Sequence, residues 1–223
     1  MSFALVNHAT AVGASTATTP GVDTTGANLL VLVVASFTTN PVPAISDSKS
    51  NTWIPRTSYV GGASNNRVTI FYAVNPTVGA AHTVMAAQAN EFATIDFAAF
   101  SGADTVSPYE SENGAGSTSA ATLQPGTVTP NEANALIISG ASGALSATFS
   151  INLGFTITDQ NTGSPSSFAS AMAYLIQTNA VAVNPTWTES PSGKLAVNIA
   201  VFKAAASSTG LLLERRRKAL LAL

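Results

Sequence analysis

Apolar residues in this chain recur at every second position over runs of strand length. In Arg67–Val74, the residues Val68, Ile70, Tyr72 and Val74 share one face, and Asn75-Pro76 then stops the run. Leu195, Val197, Ile199 and Val201 alternate in the same way. Ile95, Phe97 and Ala99 fall together opposite Asp96, a register that predicts a solvent-facing Asp96. β-Branched and aromatic residues suit a pleated surface, so these runs read as strands rather than helices. Leu29–Val34 and Leu136–Ile138 are continuous apolar runs, the pattern of strands buried on both faces or at a sandwich centre. Turn signals recur between the runs: Thr19-Pro20-Gly21, Asn40-Pro41, Gly61-Gly62, Asn113-Gly114, Gln124-Pro125-Gly126 and Ser190-Pro191. The expectation is an all-β chain.

Composition narrows the choice. Only 9% of the 223 residues are charged, against roughly 25% in an ordinary soluble domain. Ser and Thr number 52. A coiled coil or charged helical bundle needs far more Glu, Lys and Arg. Hydrophobic residues at 46% can bury a core, which argues against disorder. Cysteine is absent, which excludes disulfide scaffolds, thiolate metal sites and cysteine nucleophiles. Residues 1–210 carry five basic and ten acidic groups, too little positive charge to track a phosphate backbone, so nucleic acid is not an expected partner. The N-terminus has neither the basic start nor the apolar run of a signal peptide. Leu29–Ala35 is far shorter than the roughly 20 residues of a membrane helix, so no membrane span is expected.

The two halves read as copies. Val22–Leu30 lines up with Val128–Leu136 at a spacing of 106 residues. At a spacing of 102, Trp53 falls on Phe155, Tyr72 on Tyr174, Met85 on Trp187, and Ile95–Phe100 on Val197–Phe202. This predicts an antiparallel β-sandwich, jelly-roll-like, built from two tandem repeats of about five strands each. The body spans 1–206, with repeats 1–107 and 108–206, and a C-terminal helical or extended segment covers 207–223. The repeats could form one fused sandwich, the preferred reading, or two small ones side by side. The Ser/Gly/Ala stretch Asn113–Ala121 is the candidate boundary and reads as a surface loop.

Three strings carry a family resemblance. They are Ile45–Trp53, Val68–Ala73 and Phe100–Pro108, supported by Phe3–Asn7 and Gly154–Thr156. Together they resemble a family of duplicated β-sandwich proteins from tailed-bacteriophage and bacterial genomes, mostly uncharacterised, over about residues 3–203. The resemblance implies a virion surface or accessory role, or an extracellular one. It supplies no catalytic residues.

The search for chemistry is thin. His8 and His82 are far apart, and His82 reads as a polar strand-edge residue before a metal ligand or general base. Asp104, Glu110 and Glu112 lie close in sequence but lack the spacing of a calcium loop, and Asp104 suits capping its own turn. Asp47–Asn51 reads as a hairpin turn, with Lys49 where a cation ligand would be wanted. Glu91 and Asp96 make a poor acid–base pair. Trp53, Tyr72 and Trp187 read as core, and Tyr59 is the best exposed candidate for stacking on a sugar ring. No catalytic residue, cofactor or metal is expected, and the chain does not read as an enzyme.

The tail is the distinctive feature. Ala204–Gly210 suits a tether. Leu211, Leu212, Leu213, Arg215, Arg216, Arg217, Lys218, Leu220, Leu221 and Leu223 combine apolar and basic groups. An isolated helix this short is marginal in water, so the segment should order only against a partner. The candidate partners are virion proteins of capsid or tail, or further copies of this chain. The expected function is a structural virion protein, a capsid decoration or head/tail accessory subunit acting by protein–protein assembly and located in the virion. The alternative is a carbohydrate-binding or adhesive module on a virion fibre or cell surface, with a glycan as partner.

Overall fold

The computed structural model describes residues 2–37, 41–62, 66–87, 93–144, 146–163 and 168–206. The first half contributes β1 (Ala4–Gly13), β2 (Thr16–Thr18), β3 (Leu29–Phe37), β4 (Ala44–Asp47), β5 (Ile54–Pro55), β6 (Tyr59–Val60), β7 (Asn66–Val74), β8 (Val84–Ala87) and β9 (Ala93–Ser101). The second contributes β10 (Tyr109–Leu123), β11 (Ala135–Gly143), β12 (Thr148–Ile151), β13 (Thr156–Asn161), β14 (Ala169–Gln177) and β15 (Trp187–Phe202). The chain is all-β in antiparallel sheets, with no helix among the described residues. The C-terminal segment 207–223 lies outside the described residues.

Two large sheets organise the molecule. One runs β1-β9-β3-β7-β5, with β6 also on β7; the other runs β10-β15-β11-β14-β13, with β12 also on β15. The two paths correspond strand by strand. The first half adds a small sheet, β2-β8-β4, in which Thr18 and Ser46 both pair with Met85. The second half makes the same arrangement from the ends of β10 and β15 together with the short β12, where Leu123 and Ile151 both pair with Trp187. Both halves thus exceed the expected five strands or so, with nine in the first and six in the second among the described residues.

Alternate residues of β3 serve two different cores. Leu29, Val31 and Val33 face the opposite large sheet, together with Val68, Ile70, Tyr72 and Phe100, and meet Leu136, Ile138, Met172 and Phe202. Leu30, Leu32 and Val34 face outward onto the small sheet with Phe71, Val84 and Phe97. In the second half Ile137, Val197, Ile199 and Val201 pack around Trp187 and Phe149. Two small sandwiches therefore sit back to back, with their large sheets in contact. A central strand in such a stack has no wet face, so it needs a continuous apolar run rather than alternation. The same layering corrects the expectation for Asp96. It does lie opposite Ile95 and Phe97, but the second large sheet covers that side and leaves it 0% exposed.

The contact between the large sheets repeats itself. The Tyr72 ring meets Phe202 edge-on at 5.4 Å and 68°, and the Tyr174 ring meets Phe100 at 5.5 Å and 65°. These are equivalent residues with their roles exchanged, the mark of an isologous interface. Each such pair contributes roughly 0.5–1.5 kcal/mol beyond its buried area. At Gly140 an added Cβ would stand 2.7 Å from both Val33 Cγ1 and Asn198 Oδ1. Only a residue without a side chain lets the sheets approach that closely.

Register corrects two sequence readings. Leu29 lies opposite Phe100 and Leu136 opposite Phe202, so Leu29 rather than Leu30 is the partner of Leu136, and the spacing of 106 slips by one. A one-residue slip exchanges the faces of a strand, and Leu30 indeed faces the small sheet while Leu136 faces the other half. The stretch Asn113–Ala121 is not a loop but the middle of β10. Its small residues lie against β6: an added Cβ would stand 2.4 Å from the Tyr59 ring at Gly114 and 1.6 Å from the Val60 carbonyl oxygen at Gly116.

Candidate functional site

Three polar clusters carry the described chemistry of the chain. The first lies inside the first half. β4 ends at Asp47, whose Oδ1 accepts the Lys49 and Asn51 amides at 2.8 and 3.2 Å, while Oδ2 accepts Trp53 Nε1 at 2.7 Å. His82 bridges to Val22 and places Nε2 3.6 Å from Asp47 Oδ1, with both side chains fully buried. On its other side, His82 Nδ1 is 2.9 Å from Thr24 Oγ1. The Thr24 hydroxyl also donates to the Gly79 carbonyl at 3.2 Å, and His82 Nε2 makes no hydrogen bond. Burial lowers the His82 pKa, with Asp47 opposing, and the amide and indole donors hold Asp47 low despite its burial.

Hydroxyl, imidazole and carboxylate thus stand in a row, but the 3.6 Å gap at Nε2 leaves unmade the imidazole–carboxylate hydrogen bond that a nucleophilic triad needs. Thr24 and His82 are both 0% exposed, and the Thr24 hydroxyl also accepts the Gly79 amide at 3.1 Å. The group ties the loops of residues 19–27, 47–53 and 75–83 together. His82 is therefore not the strand-edge residue expected but a buried one, because its bridge to Val22 tucks the ring beside Phe97 at 5.9 Å.

The second cluster sits between the large sheets. Thr10 Oγ1 donates to Asp96 Oδ1 at 2.8 Å, while Asp96 Oδ2 and the Ser170 hydroxyl have no hydrogen-bond partner. Burial drives the Asp96 carboxyl from 3.8 to about 7, opposed by the Thr10 hydroxyl and helped by nearby Asp159. Asp159 in turn bonds His8 Nδ1 at 2.8 Å, and its own pKa is raised by burial against that contact. At the opposite edge, Arg56 Nε and Nη2 clasp Glu112 Oε2 and Oε1 at 3.1 and 3.2 Å, and Thr57 Oγ1 donates to Oε1 at 2.6 Å. The Arg56 guanidinium also lies 3.7 Å over the Tyr109 ring, a cation–π contact.

The third is Glu189, 2% exposed beside Gly143 and Phe149, with neither carboxylate oxygen hydrogen-bonded. Burial raises its pKa to about 7.

The remaining sequence candidates are dispersed. Asp104 Oδ1 accepts the Val106 and Ser107 amides at 2.8 Å, as a turn cap; Glu110 accepts the Asn131 amide at 2.6 Å; Glu112 belongs to Arg56. Among the described residues no group of three or more His, Asp and Glu could hold a metal ion. No helix of the described residues is long and apolar enough to cross a membrane. Trp187 is fully buried and donates Nε1–H to Ser139 Oγ at 2.8 Å; Tyr72 is buried between Tyr109 and Phe202. Tyr59, expected to be exposed, is half-buried against Gly114, which removes one ring face from any sugar. Glu91 and the segment Leu211–Leu223 lie outside the described residues. The pairs His8–Asp159 and Arg56–Glu112 were missed in the sequence because their members are 151 and 56 positions apart. No family model and no curated protein matches the chain.

Proposed function

We propose that this chain is a structural subunit that acts by protein–protein assembly, in keeping with the resemblance to virion accessory proteins of tailed phages. In this reading it decorates a capsid or joins a head or tail structure, and the segment Leu211–Leu223 is the docking element. The observation that carries the reading is how the described chain ends. Ala204 bridges to Ala103, the Asp104 amide donates to the Lys203 carbonyl at 2.9 Å, and the Ala205 amide donates to the Gly102 carbonyl at 2.8 Å. Ala204 and Ala205 are therefore held beside the turn that joins the two halves. A tether of small residues from a pinned origin suits presentation of an apolar, basic segment to a neighbour. The use of Thr24, His82, Asp47 and Trp187 in internal bonds further supports a body that acts as a rigid support.

Truncation after Gly210 tests this. The shortened chain should keep its thermal midpoint yet lose co-sedimentation with its assembly, or lose self-association in light scattering. Unchanged incorporation would overturn the docking role. Glycan retention abolished by Tyr59→Ala would favour an adhesive module instead.

A further inference from the structure

The contact between the halves places one polar pair at each of two equivalent corners. His8 lies opposite Ala98 and Glu112 opposite Ala200, so these two occupy the same place on β1 and β10. The Arg56 amide bonds Ile70, and Asp159 lies opposite Met172, so these two occupy the same place beside β7 and β14. At one corner His8 meets Asp159 at 2.8 Å, and at the other Glu112 meets Arg56 at 3.1 Å. The first half therefore supplies the donor at both corners, and the second half supplies the carboxylate at both.

We propose that these four side chains specify heterotypic pairing of the two halves and reject homotypic pairing. The isologous geometry makes the alternatives concrete. Two first halves joined through the same face would set His8 against Arg56 at both corners, with no carboxylate at either. Two second halves would set Glu112 against Asp159 at both corners, carboxylate against carboxylate. The first arrangement takes from Arg56 its bidentate carboxylate partner, and the second leaves two carboxylates facing each other that are 13% and 14% exposed, too enclosed for water to take over fully. The aromatic pairs do not discriminate, because Tyr72 and Phe100 in one half mirror Tyr174 and Phe202 in the other, while Val33 against its counterpart Gly140 favours the same heterotypic pairing as the corners. Polar corners around a self-complementary apolar patch form a selective element of the kind that separates otherwise similar interfaces.

The selection matters during synthesis. The first half emerges first, with Val31, Val33, Val68, Ile70 and Phe100 on a face that has no cover until the second half follows. On neighbouring nascent chains, such faces would otherwise capture each other. The partner this surface fits is thus the second half of this chain, from the same molecule or from another copy.

The test starts from the full-length chain with a protease site at the turn containing Val106, which is 87% exposed. The folded protein is nicked, the fragments are separated in denaturant and recombined, and native mass spectrometry counts the pairings. Loss of the Arg56 carboxylate in one homotypic pair and facing carboxylates in the other predict heterotypic pairs in excess of either by on the order of a hundredfold. His8→Asp with Arg56→Glu should abolish that excess, and adding Glu112→Lys with Asp159→Lys should restore it. Statistical pairing of the unaltered fragments, or an excess indifferent to the reversal, would overturn the proposal. Should the fragments fail to refold, the intact chain decides: the two-site reversal should lower the unfolding midpoint and the four-site reversal should recover most of it. Absence of that recovery would equally overturn it.

Discussion

Replacing Asp96 by Asn, the residue at the equivalent position 198, should flatten the pH dependence of stability. The Asp96 carboxyl is wholly buried between the large sheets, and its pKa rises from 3.8 to about 7. A folded state that holds a proton more tightly than the unfolded chain is favoured at low pH. The contribution is fully present below pH 3.8 and is lost as pH rises through about 7. A shift of about three units corresponds to roughly 4 kcal/mol in total, of which the interval from pH 5 to pH 8 carries roughly 2–3 kcal/mol. Asn keeps an acceptor for Thr10 Oγ1 and offers a donor toward the Ser170 hydroxyl, which has no partner now. The assay is urea unfolding of both proteins at pH 5 and pH 8. The wild type should lose roughly 2–3 kcal/mol more than Asp96→Asn across that interval. Parallel losses in the two proteins would refute the argument, because they would mean that this carboxyl ionises without leaving water.

Other substitutions probe separate parts of the account. Glu189→Gln should raise the midpoint more at pH 8 than at pH 5, because Glu189 is buried without partners and also has its pKa pushed to about 7; equal changes at both pH values would contradict this. Gly116→Ala should cost roughly 1–3 kcal/mol in denaturant unfolding, since the added carbon would strike the Val60 carbonyl. Thr24→Val keeps shape but leaves His82 Nδ1 without its partner in a dry site, so it should cost roughly 1–3 kcal/mol; a neutral result would show that the hydroxyl is not needed.

What the sequence made legible, and what it hid, follows from distance along the chain. Strand identity is local: Val68–Val74 and Leu195–Val201 carry their alternation in consecutive residues, and both are strands. The continuous run Leu29–Val34 indicated burial on both sides, yet nothing in it could say what covered each side. That is why Asp96 was assigned to solvent: alternation gives the face, and only the stacking of the second sheet decides whether that face is wet. The one-residue slip at Leu29 has a related cause, since Leu29 and Leu30 are chemically identical and only pairing to Phe100 separates them. The Ser/Gly/Ala composition of Asn113–Ala121 resembles a loop because Gly114 and Gly116 make room for Tyr59 and Val60 from the other half, a reason that lies outside the stretch itself. The polar corners left no local signal at all.

The back-to-back stacking of two equivalent sandwiches is tested most directly by nuclear Overhauser contacts between aromatic rings. The chain has four Tyr and ten Phe, few enough for selective labelling. Two cross-peaks of similar strength should appear, Tyr72 to Phe202 and Tyr174 to Phe100, reflecting ring separations of 5.4 and 5.5 Å. Absence of both, or the presence of one alone, would contradict an interface in which each half offers the other the same face.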